Sequence, residues 1–206
     1  MRKNILFWSG IIGVCLFVLT TIASGYFYPN YHHSSQFISE LYAVDAPNAN
    51  LIRYGGYLPS GMLFLLFSFF GMREKPQSKT KTLGFLGVGF GYGLGTIICS
   101  IFNCDAGCNP EFINPSLSQI IHNLMGLLTY LIVPVSIFII TLDVKQNKRF
   151  FKYSFLLAAL SFIFMILLNL SLQSHYKGLI QRVIEGCILC WIVLYSVYAS
   201  KSNKAI

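Results

Sequence analysis

The 206 residues are 55% hydrophobic and only 11% charged, whereas soluble domains carry about a quarter charged residues. The formal charge is +8, but the basic residues lie between apolar runs, and no aromatic-interleaved basic groove indicates a nucleic-acid partner. The composition therefore excludes a soluble enzyme domain and indicates an integral membrane protein.

Six apolar segments follow one another along the chain, each close to the roughly 20 residues that cross a bilayer. They lie at about 5–27, 54–72, 83–102, 120–142, 153–172 and 183–200. The sequence predicts an all-α fold, a polytopic bundle of six transmembrane helices that forms a single domain over 1–206. The first segment is longer than the apolar core of a signal peptide, so we expect an uncleaved span.

The basic residues predict how the bundle is oriented. Of the 15 Lys and Arg residues, 12 lie at the termini or in the loops after segments two and four. The positive-inside rule then places both termini in the cytoplasm. The outer face receives all four histidines and five carboxylates: His32, His33, His122, His175, Glu40, Asp45, Asp105, Glu111 and Glu185. We expect a bacterial inner-membrane protein with a polar pocket that faces outside.

The first outer loop contains a short stretch with helical periodicity. Phe37, Ile38 and Leu41 have the spacing of one helix face, which predicts a short amphipathic helix on the membrane surface. His33, Gln36 and Glu40 would share its polar face, and Ser39 would flank them. That face is either part of a site or simply meets water.

The third segment carries two strips of glycine. The first strip is Gly87, Gly91 and Gly95, and the second is Gly89 and Gly93. In lipid, small-residue faces let helix backbones approach closely. A dinucleotide-binding glycine loop instead follows a strand and opens a helix. The strips therefore predict helix packing.

Cysteines occur in two pairs near the outer face. Cys104 and Cys108 flank an Asp-Ala-Gly turn, which predicts a local disulfide on an oxidising face; thiolate binding of a metal is the alternative. Cys187 and Cys190 form a Cys-x-x-Cys in the sixth segment. With the first pair they resemble the arrangement of membrane thiol oxidoreductases, and buried apolar cysteines are the other interpretation.

Two further positions have side chains suited to chemistry. His122 begins the fourth segment, where a neutral imidazole could act as a metal ligand, a general base or a structural hydrogen-bonding group. Arg182 and Glu185 have i, i+3 spacing and could pair. Alternatively, Arg182 faces a lipid phosphate or an acidic substrate group.

Three ordered motifs resemble the DUF998 family of six-span membrane proteins over essentially the whole chain. They are Tyr31-x-His33-x-Ser35-Gln36-Phe37-Ile38-Ser39-Glu40-Leu41 with Ala46-Pro47-Asn48-Ala49, Cys104-Asp105-x-Gly107-Cys108 with His122, and Gly178-Leu179-Ile180-Gln181-Arg182 with Trp191. Tyr42 departs from the glycine expected after Leu41. The resemblance implies a fold, since the family is uncharacterised. The first motif also distantly resembles a loop of the Frag1/DRAM/Sfk1 membrane proteins, which hints at lipids.

These observations predict a pocket that binds a lipid or lipid-linked substrate and could hydrolyse or transfer it. The predicted catalytic residues are His33, Ser39, Glu40, Asp105 and His122, and the predicted substrate-binding residues are Gln36, Gln181 and Arg182. His33, His122 and Asp105 are the candidate metal ligands, a donor set that would suit zinc. Membrane lipid is the expected partner.

The sequence does not exclude two other classes of function. One is a non-enzymatic transporter, receptor or scaffold. The other is a membrane thiol oxidoreductase that uses Cys187 and Cys190 with Cys104 and Cys108.

Overall fold

A computed structural model describes residues 2–170, 172 and 174–201, which form helices and connecting loops. Six of the helices are long and apolar enough to cross a membrane. They are α1 (Arg2–Phe27), α2 (Ala49–Met72), α3 (Lys79–Ile101), α4 (Leu117–Asp143), α5 (Lys148–Leu170) and α6 (Lys177–Lys201). The prediction of an all-α, six-span membrane bundle is confirmed.

The bundle has two unlike ends, which are named here for what they carry. The loop-rich end holds the segments 28–48, 102–116, 172 and 174–176. The basic end holds the shorter connections 73–78 and 144–147, and lysines and arginines lie in and beside them. At the basic end Ser78 caps α3, because its hydroxyl accepts the backbone N–H of Lys81 at 2.9 Å. At the loop-rich end Ser116 caps α4 in the same way, through the N–H of Gln119 at 3.1 Å. Such caps satisfy helix N–H groups that have no intrahelical partner.

The glycine strips of α3 face two different neighbours. The first strip lies against α4, where a Cβ atom added to Gly91 would come within 2.8 Å of Val133 Cγ2. The second lies against α2, where a Cβ on Gly93 would come within 2.8 Å of the backbone nitrogen of Leu65. The absence of side chains therefore lets three helices approach closely, and the packing prediction is confirmed.

An aromatic core fills the half of the bundle nearer the basic end. Phe67, Phe85, Trp191 and Tyr195 are fully buried and contact one another edge-on or tilted, with ring centroids 4.9–6.3 Å apart. The Trp191 indole donates to the Ser154 hydroxyl at 2.8 Å, so its N–H is satisfied. This part of the bundle interior is therefore densely packed.

The first loop does contain a short helix, but its form differs from the expected surface helix. It is a five-residue 3-10 helix, Ile38–Tyr42, in which only Ser39 is not buried. The Glu40 carboxylate turns back and accepts the Phe37 N–H at 2.9 Å, which fixes the start of the helix. His33 precedes the helix and does not share its face. Because its apolar residues enter the bundle, the segment covers the bundle end instead of lying on the membrane.

Candidate functional site

A cavity of about 440 Å³ lies inside the loop-rich half of the bundle. All six helices contribute to its wall, together with two segments of the loop-rich end: 28–48, the first loop, and 102–116, the second loop. Most of the wall is apolar or aromatic. The largest contribution comes from α4 between residues 122 and 130. A cavity of this size falls in the range of small-molecule sites.

Glu185 of α6 is the carboxylate of this cavity. Both of its oxygens accept tyrosine hydroxyls, Oε2 from Tyr92 and Oε1 from Tyr130, each at 2.7 Å. Among the described residues no lysine or arginine forms an ion pair with it. The expected pairing with Arg182 is therefore not formed. Sequence reasoning did not assign Glu185 to the site, although an ionisable residue within a span is itself a functional signal.

Gln181 connects this carboxylate to the first loop. Its amide N–H donates to the Tyr130 hydroxyl at 3.0 Å, and its amide oxygen accepts the Ile38 N–H at 2.7 Å. Tyr130 in turn donates to Glu185. The position of the loop backbone and the position of the carboxylate are therefore linked by three successive hydrogen bonds.

Two predicted catalytic residues, Ser39 and His122, also line the cavity. His122 Nδ1 lies 2.9 Å from the Phe102 carbonyl oxygen, so the ring donates from this nitrogen. The Ser39 hydroxyl lies 3.3 Å from Cys108 Sγ. No hydrogen bond joins Ser39 to His122 in the described part of the chain, so the structure does not show the nucleophile–base contact typical of covalent catalysis.

Arg182 lies outside the cavity wall and binds the first loop. Its guanidinium donates to the carbonyl oxygens of His33 at 2.6 Å, Gln36 at 2.8 Å and Gly178 at 3.0 Å, and to the hydroxyl of Tyr31. Burial raises the pKa of Tyr31 to about 12, although Arg182 opposes that shift. The arginine thus has its donors directed at protein groups that order the loop.

Gln36 and Glu40 also belong to the loop's own framework. The Gln36 amide donates to Glu40 at 2.9 Å and accepts the N–H of His32 at 2.8 Å. With the Phe37 N–H on the other carboxylate oxygen, these contacts fix the loop backbone. Neither side chain lines the cavity. Their predicted roles in substrate binding and catalysis remain predictions.

His33 and Asp105 lie apart from the cavity. Burial and the charge of Arg182 lower the pKa of His33, whose ring meets Tyr31 edge-on with centroids 5.1 Å apart. Asp105 Oδ2 accepts the Ser116 N–H at 3.0 Å, and hydrogen bonds from Ser116 hold the pKa of Asp105 below its usual range. Within the described residues no three His, Cys, Asp or Glu side chains are grouped to hold a metal. The structure therefore does not bring His33, His122 and Asp105 together as a zinc site.

The two cysteine pairs differ in their surroundings. Cys104 and Cys108 form a disulfide, and the turn between them is bound to the first loop, since Asp45 Oδ1 accepts the Gly107 N–H at 3.0 Å. Cys187 is buried and Cys190 is exposed. Neither lines the cavity, so the geometry gives no support to a redox relay between the pairs.

Comparison with known proteins gives one match, and it is to a family. No curated protein and no solved structure matches the chain. The model of the family described as "Protein of unknown function (DUF998)" matches residues 11–198. The match includes residues from all six helices and every residue of the cavity wall. It confirms the resemblance carried by the three motifs, and the chain therefore belongs to the DUF998 family.

Proposed function

We propose that this protein binds an amphipathic, lipid-like molecule in the cavity of its loop-rich end. The observation that carries the proposal is the cavity itself, which combines an apolar wall with the half-buried carboxylate of Glu185 inside a membrane-spanning bundle. Apolar contact with a ligand chain contributes about 25 cal/mol per Å² of surface removed from water, and polar groups fix its orientation.

The mouth of the cavity supports entry from the bilayer. Phe112, Leu127 and Leu172 line the cavity and are also 48%, 43% and 48% exposed. They come from the second loop, α4 and the segment after α5, so exposed apolar surface continues from the outside of the bundle into the cavity. Asn123 and Asn169 are exposed cavity residues as well, and their amides suit the polar boundary of a membrane.

The distribution of basic residues indicates on which side of the membrane the cavity lies. With the basic end in the cytoplasm, as the positive-inside rule requires, the cavity lies near the outer leaflet. A lipid of that leaflet would then reach the mouth directly, which is consistent with an extracytoplasmic binding role.

Binding is supported better than catalysis. Ser39 and His122 both face the cavity, yet each is engaged with another group, Cys108 Sγ and the Phe102 carbonyl. Hydrolysis or transfer would require these side chains to be re-paired by the ligand. The proposed role is therefore that of a lipid-binding protein, with the cavity as a site of recognition.

Photochemical labelling tests this role. The full chain, purified in a maltoside detergent, is exposed to a monoacylglycerol with a diazirine on its acyl chain, and the adducts are mapped by mass spectrometry. We expect saturable adducts at Leu127, Leu168 and Leu172 that excess unlabelled monoacylglycerol prevents. Exposed residues of α5 away from the cavity, such as Leu156 and Ile163, serve as controls and should label without saturation. Equal, non-competable labelling at both sets would contradict the proposal.

A further inference from the structure

We infer that the polar group of the cavity ligand carries a positive charge, and that an ammonium group bound by Glu185 and an adjoining aromatic wall is the chemistry this site recognises. The inference rests on the proposed binding function and specifies its ligand class. It follows from three features of the cavity: an uncompensated carboxylate, a continuous set of aromatic rings beside it, and the lack of any cationic side chain in the described wall.

Among the described residues, the carboxylate of Glu185 has no charged partner. The two tyrosine hydroxyls that it accepts are neutral, and the described residues of the cavity wall include no lysine or arginine. An ionised carboxylate has about four acceptor sites, so two tyrosines leave capacity for a ligand. A cation from the ligand would offset the cost of holding an ionised carboxylate away from water.

Glu74, at the basic end of the same bundle, is a buried carboxylate with cationic partners. Glu74 is 7% exposed, and its oxygens lie 4.0 Å from Lys3 Nζ and 3.9 Å from Lys81 Nζ. Tyr195 also donates its hydroxyl to Glu74. Glu185 also accepts tyrosine hydroxyls, but among the described residues no lysine pairs with it. Of the two carboxylates, Glu185 is the one that lines the cavity, so a ligand in the cavity can reach it.

Aromatic rings line the cavity beside this carboxylate. Tyr42 contacts Tyr57 with ring centroids 4.8 Å apart, Tyr57 contacts Phe17 at 5.0 Å, and Phe17 contacts Tyr92 at 6.3 Å. All four line the cavity, and Tyr92 is hydrogen-bonded to Glu185. Ring faces attract ammonium groups, most strongly where both are desolvated, as in aromatic cages for quaternary ammonium ligands.

The same features disfavour an anionic head group. A phosphate or carboxylate with no cation beside it would be repelled by the charge of an ionised Glu185. Arg182, the arginine of the same helix, has its donors on the first loop. A neutral head group would fill the space but leave the carboxylate uncompensated.

Three matched amphiphiles test the inference. Decyltrimethylammonium, decanol and decanoate share the same chain length and differ in the charge of the head. Their affinities are measured by calorimetry on the full chain in a maltoside detergent. We expect wild-type protein to bind the cation about tenfold more tightly than decanol and to bind decanoate most weakly, in line with a desolvated cation–π contact and an opposite charge.

Variants then assign the preference to Glu185. Glu185→Gln should remove most of the preference for the cation and leave decanol affinity nearly unchanged, which also shows that the variant is folded. Glu111→Gln, an exposed loop carboxylate, removes the same charge away from the cavity and should retain the preference. Tyr57→Leu should weaken binding of the cation more than binding of decanol, because it removes a ring face and keeps an apolar side chain.

The outcomes separate the two proposals. If decanol binds as well as or better than the cation to wild-type protein, the ammonium inference is overturned and lipid binding survives. If all three amphiphiles fail to bind, both proposals fall. Should Glu185→Gln not fold, the wild-type ranking and the Tyr57→Leu variant still decide the inference.

Discussion

Arg182 and Glu185 lie one turn apart on α6, yet each serves a different part of the molecule. The arginine reaches the carbonyl oxygens of the first loop, and the glutamate accepts hydroxyls inside the cavity. Their spacing predicted a pair, but each group found partners that only the folded chain supplies. One residue therefore holds the loop that covers the cavity, and the other places a carboxyl group in the cavity wall.

Replacing Arg182 with lysine should loosen the first loop. An ammonium cannot reproduce the fork of guanidinium donors, and carbonyl oxygens left without partners cost about 1–3 kcal/mol. We expect Arg182→Lys to lower the thermal midpoint in detergent by several degrees. Arg149→Lys, at an exposed position of the basic end, is the matched control and should leave the midpoint unchanged. Equal midpoints for both variants would show that the guanidinium does not stabilise the loop.

The depressed pKa of Asp105 predicts that the order of the second loop depends on pH. Hydrogen bonds from Ser116 depress its pKa, so its contribution to order is complete above the unfolded value of about 3.9 and is lost as pH falls through the folded value. Exchange of the Ser116 amide, corrected for its intrinsic rate, should rise in that acid range. Asp105→Asn should raise the exchange rate of the Ser116 amide already at neutral pH. Unchanged Ser116 protection in that variant would show that the carboxylate does not hold the start of α4.

At the scale of elements, departures from α-helical geometry shape the cavity. α2 contains a π-helical segment, Arg53–Tyr57, and α3 contains another, Gly89–Leu94. Tyr57 and Tyr92 lie in these segments and line the cavity. Pro59 lacks the N–H that would bond back to Gly55, which accounts for irregular bonding near the first segment. Such π segments often occur at functional sites.

The close approach of α2 and α3 depends on Gly93. A Cβ there would come within 2.8 Å of the Leu65 backbone nitrogen, and backbone cannot move aside as a flexible side chain can. Gly93→Ala should destabilise the bundle by about 1–3 kcal/mol, seen as a lower thermal midpoint. At Gly186 a Cβ meets nothing within 4 Å, so Gly186→Ala should be neutral or slightly stabilising. A neutral Gly93→Ala would contradict the assigned contact.

The sequence predicted the elements better than the site. Runs of about 20 apolar residues identify spans through the thickness of the bilayer alone, and spacing of glycines identified the packing faces of α3. The tyrosines around Glu185 come from α3 and α4, and no local pattern links them to α6. The spacing of glycines and prolines does not reveal the π segments. The periodicity of the first loop predicts a helix on the membrane surface, because it carries no information about the bundle end that buries this segment.

For the whole molecule, the two ends of the bundle have different roles. The basic end buries Glu74 with its lysines, and the loop-rich end holds the cavity under two loops tied together by the Val44 N–H to Cys104 carbonyl contact at 3.1 Å. The tightly packed aromatic core near the basic end and the cavity at the loop-rich end are consistent with the proposed entry of a ligand from one leaflet.

Cysteine labelling tests which side the cavity faces. In a background where the four free cysteines are replaced, Glu111→Cys at the loop-rich end should react with a membrane-impermeant maleimide in intact cells. Lys145→Cys at the basic end should react only after lysis, because the positive-inside rule places it in the cytoplasm. The reverse pattern would place the cavity at the cytoplasmic leaflet.

The central claim, that the cavity is a ligand site, is tested most directly by filling it. Gly126 lines the cavity, and a Cβ added there meets nothing within 4 Å, so a larger side chain would occupy open space. A Cβ added to Gly186 also meets nothing within 4 Å, but Gly186 does not line the cavity. Decyltrimethylammonium affinity is measured for Gly126→Phe and Gly186→Phe. We predict a loss of at least about tenfold for the first and wild-type affinity for the second; wild-type affinity in both would contradict binding in this cavity.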